Sequence, residues 1–139
     1  MSNALITGAS SGIGYELARH FARKGHHVIL VARQEEKLAQ VADELRKRYQ
    51  IDAQIISIDL SQPHAADEIF RWTREKSFTV DYLINNAISI TTASVEEMES
   101  KVWERVISVN LRGTFLTCKY ALPGMLRRGS MSPVLPKGK

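Results

Sequence analysis

The amino-acid sequence predicts an α/β protein with three layers, in which helices cover both faces of a parallel sheet. Short, almost wholly apolar runs alternate with segments of helical periodicity from the first residues onward. Strands separated by helices of about 10 to 15 residues pair in parallel through right-handed crossovers. Because strands covered on both faces have few polar positions, the apolar character of these runs supports the same arrangement.

Four strands and four helices are predicted in alternation. The strands are Ala4–Ile6, His27–Val31, Gln54–Ile58 and Val80–Ile84. The apolar faces of the helices are marked by Ile13, Leu17 and Phe21; by Leu38, Val41, Leu45 and Tyr49; by Ala66, Ile69 and Phe70; and by Val102, Val106, Leu111, Phe115 and Leu122. The last series predicts one long helix, with Trp103 and Cys118 as packing residues.

The formal net charge of +4 is confined to the last 13 residues, because the 15 acidic residues all precede them and residues 1–126 are neutral. A few basic residues without an aromatic neighbour indicate a solvated tail rather than a nucleic-acid or lipid surface. No apolar run approaches the roughly 18 residues of a membrane span, and the first residues do not resemble a secretory signal. We therefore expect no nucleic-acid and no membrane partner. The lone Cys118 cannot form an internal disulfide, which favours a cytoplasmic location.

The strongest motif is Thr7–Gly14, with the sequence Thr-Gly-Ala-Ser-Ser-Gly-Ile-Gly. A Rossmann-like unit requires glycine between its first strand and first helix, because the backbone turns sharply there and lies close to a pyrophosphate. The amides of the first helical turn then face the anion, helped by the helix dipole. A glycine-rich turn without a ligand is the alternative. The candidate pyrophosphate-binding residues are Gly8, Ser10, Ser11, Gly12, Ile13 and Gly14, of which Gly14 is expected to keep the space that the pyrophosphate needs.

Four segments, in the right order, resemble the short-chain dehydrogenase/reductase family over residues 3–129. Thr7–Gly14 matches the glycine motif of that family at every fixed position. Asp59-Leu60 follows the third strand, Asn85-Asn86-Ala87 follows the fourth, and Asn110 lies on the last helix. The resemblance implies the fold predicted above and hydride transfer between a nicotinamide cofactor and a carbonyl or alcohol substrate.

The resemblance also implies roles for single residues. The expected adenine contacts are Asp59 and Leu60, the further cofactor contacts are Asn86 and Ala87, and the catalytic asparagine is Asn110. Packing of a partly buried polar side chain is the other role open to Asn110. Ile88 departs from the glycine that the family usually has, and its β-branched side chain would crowd the nicotinamide half of the site.

Arg33, at the end of the second strand, favours NADP over NAD. An acid at this point of a Rossmann site bonds the ribose 2′-hydroxyl of NAD, whereas an arginine pairs with the 2′-phosphate of NADP. The sequence has Ala32 and Arg33 there, and in similar family members an arginine accompanies NADP. Glu35 and Glu36 are close in sequence and count against this interpretation. Capping of the next helix is the other role open to Arg33.

Of the catalytic residues that the family uses, only Asn110 has a counterpart here. Members of the family use a tyrosine as acid/base, a lysine four residues later that lowers its pKa, and a serine that orients the substrate. None of the four tyrosines is followed at that distance by lysine; Tyr15, for example, is followed by Arg19. Ser130 and Ser132 lie in the tail, without a strand to present them. We therefore expect the chain to be inactive alone, and we expect no metal site.

The predicted sheet is truncated after about four strands, in the order 3-2-1-4. Residues 1–128 would form the dinucleotide-binding segment, and residues 129–139 an irregular basic tail. Val80–Ile84 would then be an exposed apolar edge, so we expect self-association through that edge or the last helix. Three interpretations stay open: an inactive portion of an NADP-dependent oxidoreductase, a dinucleotide-binding or regulatory module that pairs with a partner, and an enzyme completed by a separate chain.

Overall fold

The computed structural model describes residues 2–129 and confirms the parallel α/β sheet. Its strands are β1 (Asn3–Thr7), β2 (His27–Ala32), β3 (Ala53–Ser57) and β4 (Tyr82–Ile84), in the predicted order β3-β2-β1-β4. All three pairings are parallel, with Leu5 of β1 opposite both Ile29 and Leu83. The tail predicted for residues 129–139 lies, apart from Gly129, outside the described residues.

Five helices and one π-helical segment complete the described part of the chain. The helices are α1 (Gly12–Arg23), α2 (Glu35–Tyr49), α3 (Ala65–Glu75), α4 (Ser100–Ile107) and α5 (Thr114–Arg127), and the π-helical segment is Ser108–Gly113. Gly25 follows α1 with a φ of +88°, the left-handed conformation typical after a helix. Within residues 2–129, no helix combines the length and the apolar character needed to cross a membrane.

The buried side chains form two clusters, one on each face of the sheet. Successive residues of a strand point to opposite faces, so neighbours on β1 belong to different clusters. Ile6 lies in a cluster with Leu38 of α2, whereas Leu5 lies in a cluster with Ile69 of α3 and Ala121 of α5. Helices α1 and α2 therefore cover one face and α3 and α5 the other, which gives the three predicted layers.

The last helix differs from its prediction in two ways. The π-helical segment interrupts the single long helix that was expected, and much of the face expected to be buried is exposed. The exposed fractions are 55% for Trp103, 62% for Leu111 and 64% for Phe115, and Cys118 is exposed as well. The packing predicted for Trp103 and Cys118 is wrong, because within residues 2–129 no strand beyond β4 lies under this face.

Strand β4 is shorter than predicted and forms one edge of the sheet. The prediction began at Val80, but the carbonyl of Val80 accepts a hydrogen bond from the Arg128 guanidinium at 2.5 Å instead of joining a strand. Three residues remain, and in the described part of the chain they pair only with β1. Because all strands are parallel, the loops that follow them meet at one end of the sheet, where Rossmann-like folds bind ligands.

Candidate cofactor-binding site

The loop between β1 and α1 turns at two glycines and packs closely at a third. Gly8 and Gly12 have φ values of +66° and +58°, a conformation that side chains disfavour. A Cβ on Gly14 would lie 2.1 Å from the carbonyl oxygen of Gly8 and 2.5 Å from Nδ2 of Asn86. Gly14 therefore lets α1 pack against its own loop, which is a different role from the predicted one. The open position is Gly12, where an added Cβ would meet no atom within 4 Å.

Thr7 and the residues after β4 hold this loop in place. The Thr7 side chain is almost fully buried, and its Oγ1 accepts the backbone N–H groups of Asn86 and Ala87, both at 3.0 Å. Asn86 in turn donates from Nδ2 to the carbonyl of Gly8 at 3.2 Å. These bonds join the loops that follow β1 and β4. The side chain of Asn86 thus supports the glycine loop.

A cleft of about 470 Å³ opens between the loops at the carboxyl ends of the strands. It is lined by nine of the predicted site residues: Gly8, Ser10, Ser11, Ile13, Arg33, Asp59, Leu60, Asn86 and Ala87. The predicted residues Gly12, Gly14 and Asn110 do not line it. Ile13 was expected on the buried face of α1 but is 72% exposed, because it lies in the first helical turn at the mouth of the cleft.

Positive charge lines the cleft beside the end of β2. Arg33 and Lys37 both line it, and within residues 2–129 neither has a carboxylate at ion-pair distance. Glu35 and Glu36 do not line the cleft, because successive residues of a helix point in directions about 100° apart. No side chain caps the start of α2, so the capping role left open for Arg33 is not observed. Sequence reasoning missed Lys37, although its place four residues after Arg33 was a usable signal.

Asp59 is the acidic residue of this cleft, and it is held by two neighbours. Its Oδ1 accepts the backbone N–H of Ser61 at 2.9 Å, and its Oδ2 lies 3.2 Å from Nη1 of Arg105 on α4. Burial raises the pKa of Asp59, but the hydrogen bonds from Ser61 and Arg105 lower it by more, so the pKa lies below its usual value. Asp59 is therefore ionised at neutral pH, so its carboxylate acts only as an acceptor of hydrogen bonds from N–H or O–H groups.

Asn110 lies in the π-helical segment and contacts the loop after β4. Its Oδ1 accepts the backbone N–H of Ser89 at 2.8 Å, and its Nδ2 donates to the carbonyl of Ser89, also at 2.8 Å. Both ends of the amide are thus paired with one residue, which itself lines the cleft. Of the two roles left open for Asn110, these side-chain contacts match the packing role. π-Helical turns occur often at functional sites, and catalysis by Asn110 stays a prediction.

The described part of the cleft has no tyrosine or histidine in its walls. Tyr15 donates its hydroxyl to Glu44 at 2.7 Å, and this hydrogen bond is the main cause that raises the pKa of Tyr15 above its usual value. The shift is opposite to the one that an acid/base tyrosine needs near neutral pH. His27 accepts the backbone N–H of Asp52 with Nδ1 at 2.9 Å. Among residues 2–129, no group of three or more His, Cys, Asp or Glu could hold a metal ion.

The fold and the cleft together define a Rossmann-type dinucleotide-binding domain, with a glycine loop after β1 and the cations Arg33 and Lys37 after β2. Comparison with known proteins makes this class more specific. A family model described as short chain dehydrogenase matches residues 2–132. The chain belongs to the short-chain dehydrogenase family.

Relatives with names and structures support this membership. An uncharacterized oxidoreductase of Staphylococcus saprophyticus is 35% identical over 127 residues, covering 91% of this chain and 54% of the relative. L-Sorbose reductase from Gluconobacter frateurii, solved with NADPH and L-sorbose, aligns with a TM-score of 0.87 and 30% identity over 92% of this chain and 49% of that one. A short-chain dehydrogenase from Sphingobium yanoikuyae, solved with NADPH, aligns with a TM-score of 0.86 and 31% identity over 93% of this chain and 50% of that one. The chain thus spans about half the length of these relatives.

Proposed function

We propose that this chain is the cofactor-binding portion of an oxidoreductase that transfers hydride between NADP(H) and a carbonyl or alcohol substrate. The observation that carries the proposal is Arg33, a cation on the cleft wall with no ion-pair partner in the described residues. The two solved relatives named above contain NADPH, which supports the same cofactor for this chain. NAD is the weaker alternative, because it lacks the phosphate with which Arg33 would pair.

The residues that line the cleft, together with Gly12 between the lining residues Ser11 and Ile13, fit the parts of such a dinucleotide. Gly12 leaves its surroundings open at the first turn of α1, so the free amides there can approach a pyrophosphate. Arg33 and Lys37, which line the cleft, would pair with a 2′-phosphate, and Asp59 would accept an N–H donor of adenine. When bound, the nicotinamide would supply or accept the hydride. The residues of this chain would bind and orient the cofactor.

Titration of the unmodified chain with NADPH and NADH tests the cofactor. NADPH should bind at least about tenfold more tightly, which corresponds to about 1.4 kcal/mol, because a hydrogen bond to a charged group contributes about 1.5–3 kcal/mol. Arg33→Ala should remove most of this preference. Glu35→Ala is the matched control, since Glu35 is two residues away and does not line the cleft. Equal affinities for the two cofactors in the unmodified chain would contradict the proposal.

The 139 residues on their own should reduce no carbonyl above background. The sequence contains no Tyr-x-x-x-Lys, and no tyrosine lines the described cleft. A positioned general acid contributes about 10²–10⁴-fold to such a reaction, so its absence should remove measurable turnover. The assay is NADPH oxidation with a panel of ketones and aldehydes. Turnover that Asn110→Ala abolishes would show that another residue of this chain supplies the proton.

A second function, binding of a partner chain, is favoured by the surfaces that the described residues leave open. β4 pairs on one side only, and Leu111 and Phe115 are more than half exposed on the last helical stretch, which consists of α4, the π-helical segment and α5. The partner could be a chain that completes the enzyme, a chain that this module regulates, or a second copy. Self-association through the β4 edge or the last helix is the simplest case.

A cytoplasmic location is part of the proposal, supported by the single, exposed and free Cys118, and cell fractionation would test it.

A further inference from the structure

Two arginines from the last helical stretch bind the loop between β3 and α3. Arg105 of α4 donates from Nη1 to Oδ2 of Asp59 at 3.2 Å and to Oγ of Ser61 at 3.1 Å, and from Nη2 to Oδ1 of Asp59 at 3.4 Å. Arg112 of the π-helical segment donates to the backbone carbonyl of Ser61 at 2.7 Å. Both arginines therefore tie the same loop to the same helical stretch. Only Arg105 contacts the acidic residue of the cleft.

We propose that Arg105 is a positioning residue of the cofactor site, which holds the carboxylate of Asp59 so that Oδ2 accepts the exocyclic amine of adenine. This inference rests on the proposed function. Oδ1 of Asp59 already accepts bonds from the Ser61 backbone N–H and from Nη2 of Arg105, whereas Oδ2 accepts one bond, from Nη1. A carboxylate oxygen has two lone pairs. One acceptor position on Oδ2 is therefore left for a ligand in the cleft that Asp59 lines.

Arg105 is the charged neighbour that lowers the pKa of Asp59, alongside the larger contribution of the Ser61 backbone N–H. Arg33 and Lys37 line the same cleft from the end of β2 and from α2 but form no ion pair with Asp59, and Arg112 contacts a neutral carbonyl. Burial raises the pKa of Asp59, and Ser61 and Arg105 together lower it by more. Removing Arg105 therefore raises the pKa of Asp59. Since only the ionised carboxylate accepts the amine without competition from its own proton, adenine binding is then lost at a higher pH.

The first experiment needs no ligand. The Asp59 carboxyl carbon is titrated by NMR in the unmodified chain, in Arg105→Met and in Arg112→Met. Arg105→Met should raise the pKa of Asp59, and Arg112→Met, which removes a tether to the same loop, should not. Arg105→Lys should raise the pKa of Asp59 less than Arg105→Met does, because it keeps the positive charge. An unchanged titration of Asp59 in Arg105→Met would overturn the inference whether or not the chain binds a dinucleotide.

The second experiment measures recognition of the amine. The probes are NADPH and its hypoxanthine analogue, in which a carbonyl replaces the adenine amine. The unmodified chain should prefer NADPH about two- to fivefold, the range expected for a partly exposed charged contact. Arg105→Met should remove that preference, and Arg112→Met should keep it. Arg105→Lys should largely keep the preference for NADPH over the hypoxanthine analogue. In the unmodified chain this preference should weaken as the pH falls through the pKa of Asp59.

The outcomes separate this inference from the function on which it rests. If the chain prefers NADPH over NADH through Arg33 but binds the hypoxanthine analogue equally well in every variant, the role of Arg105 is refuted and the cofactor assignment stands. If the chain binds neither NADPH nor NADH, the proposed function and the recognition of adenine fall together.

Discussion

Thr7→Val is the substitution that tests most directly how the glycine loop is held in place. Thr7 is 1% exposed, and its Oγ1 accepts two backbone N–H groups, those of Asn86 and Ala87, at 3.0 Å each. Valine has nearly the same shape but cannot accept a hydrogen bond. The substitution therefore leaves the packing almost unchanged and leaves two backbone donors unpaired next to the glycine loop.

The expected cost follows from those two donors. Leaving a buried donor unsatisfied costs about 1–3 kcal/mol, and both donors here are only partly buried, so the lower half of that range applies to each. Thr7→Val should reduce the free energy of unfolding by about 2–4 kcal/mol, measured by urea denaturation at one fixed protein concentration. NADPH affinity should fall in the variant even where it remains folded, because Asn86 also holds Gly8.

Thr7→Ser is the matched control, because it keeps the hydroxyl and loses one methyl group. Its cost should stay near 1 kcal/mol, the transfer free energy of about one buried methyl group. If Thr7→Val lowers the unfolding free energy no more than Thr7→Ser does, the two hydrogen bonds do not stabilise the loop, and the role assigned to Thr7 is refuted.

Three further predictions concern the loop, one side chain and the surface. Gly14→Ala should lower the unfolding free energy by about 3 kcal/mol, since its Cβ would meet backbone at 2.1 Å. Gly12→Ala, which has open space and only an unfavourable φ, should lower it by about 1–2 kcal/mol. The reverse order in urea denaturation would be inconsistent with the loop geometry. The folded state raises the pKa of Tyr15, so stability should be full below pH 10 and fall as the pH rises above it; Tyr15→Phe should show a smaller fall, and equal falls would count against the hydrogen bond to its carboxylate partner. Phe115→Arg should weaken self-association at least about tenfold in sedimentation experiments, while Gln40→Arg on α2 should not; equal dissociation constants would exclude the last helix as the interface.

The sheet and the glycine loop could be predicted because their signals are local. A strand such as His27–Ala32 is recognisable from its own apolar run, and the turn at Gly8 is recognisable from the residues beside it. Parallel pairing then brings the ends of separate strands together without further information. Arg33 was expected in the site from its place after the second strand and Asp59 from the family resemblance, and both line the same cleft.

The remaining features depend on tertiary contacts that no local pattern reports. Arg105 is 46 residues from Asp59 and looks in the sequence like any exposed helical arginine. Helical spacing places Leu111 and Phe115 on one face, but whether another element covers that face is not encoded in the spacing. Asn110 was found through a family motif, and only the structure shows that both ends of its amide are bonded to Ser89.

The polar contacts of the site have one feature in common, since each joins the end of a strand or the loop after it to another part of the fold. Thr7 joins the end of β1 to the loop after β4, Arg105 joins the loop after β3 to α4, and Asn110 joins the loop after β4 to the π-helical segment. All of these partners lie within residues 2–129, so the walls of the cleft are ordered by contacts inside the described part of the chain. A pre-ordered site loses less conformational entropy when a ligand binds. Dinucleotide binding should therefore depend on this part of the chain, even if reaction with a carbonyl substrate requires residues that it does not contain.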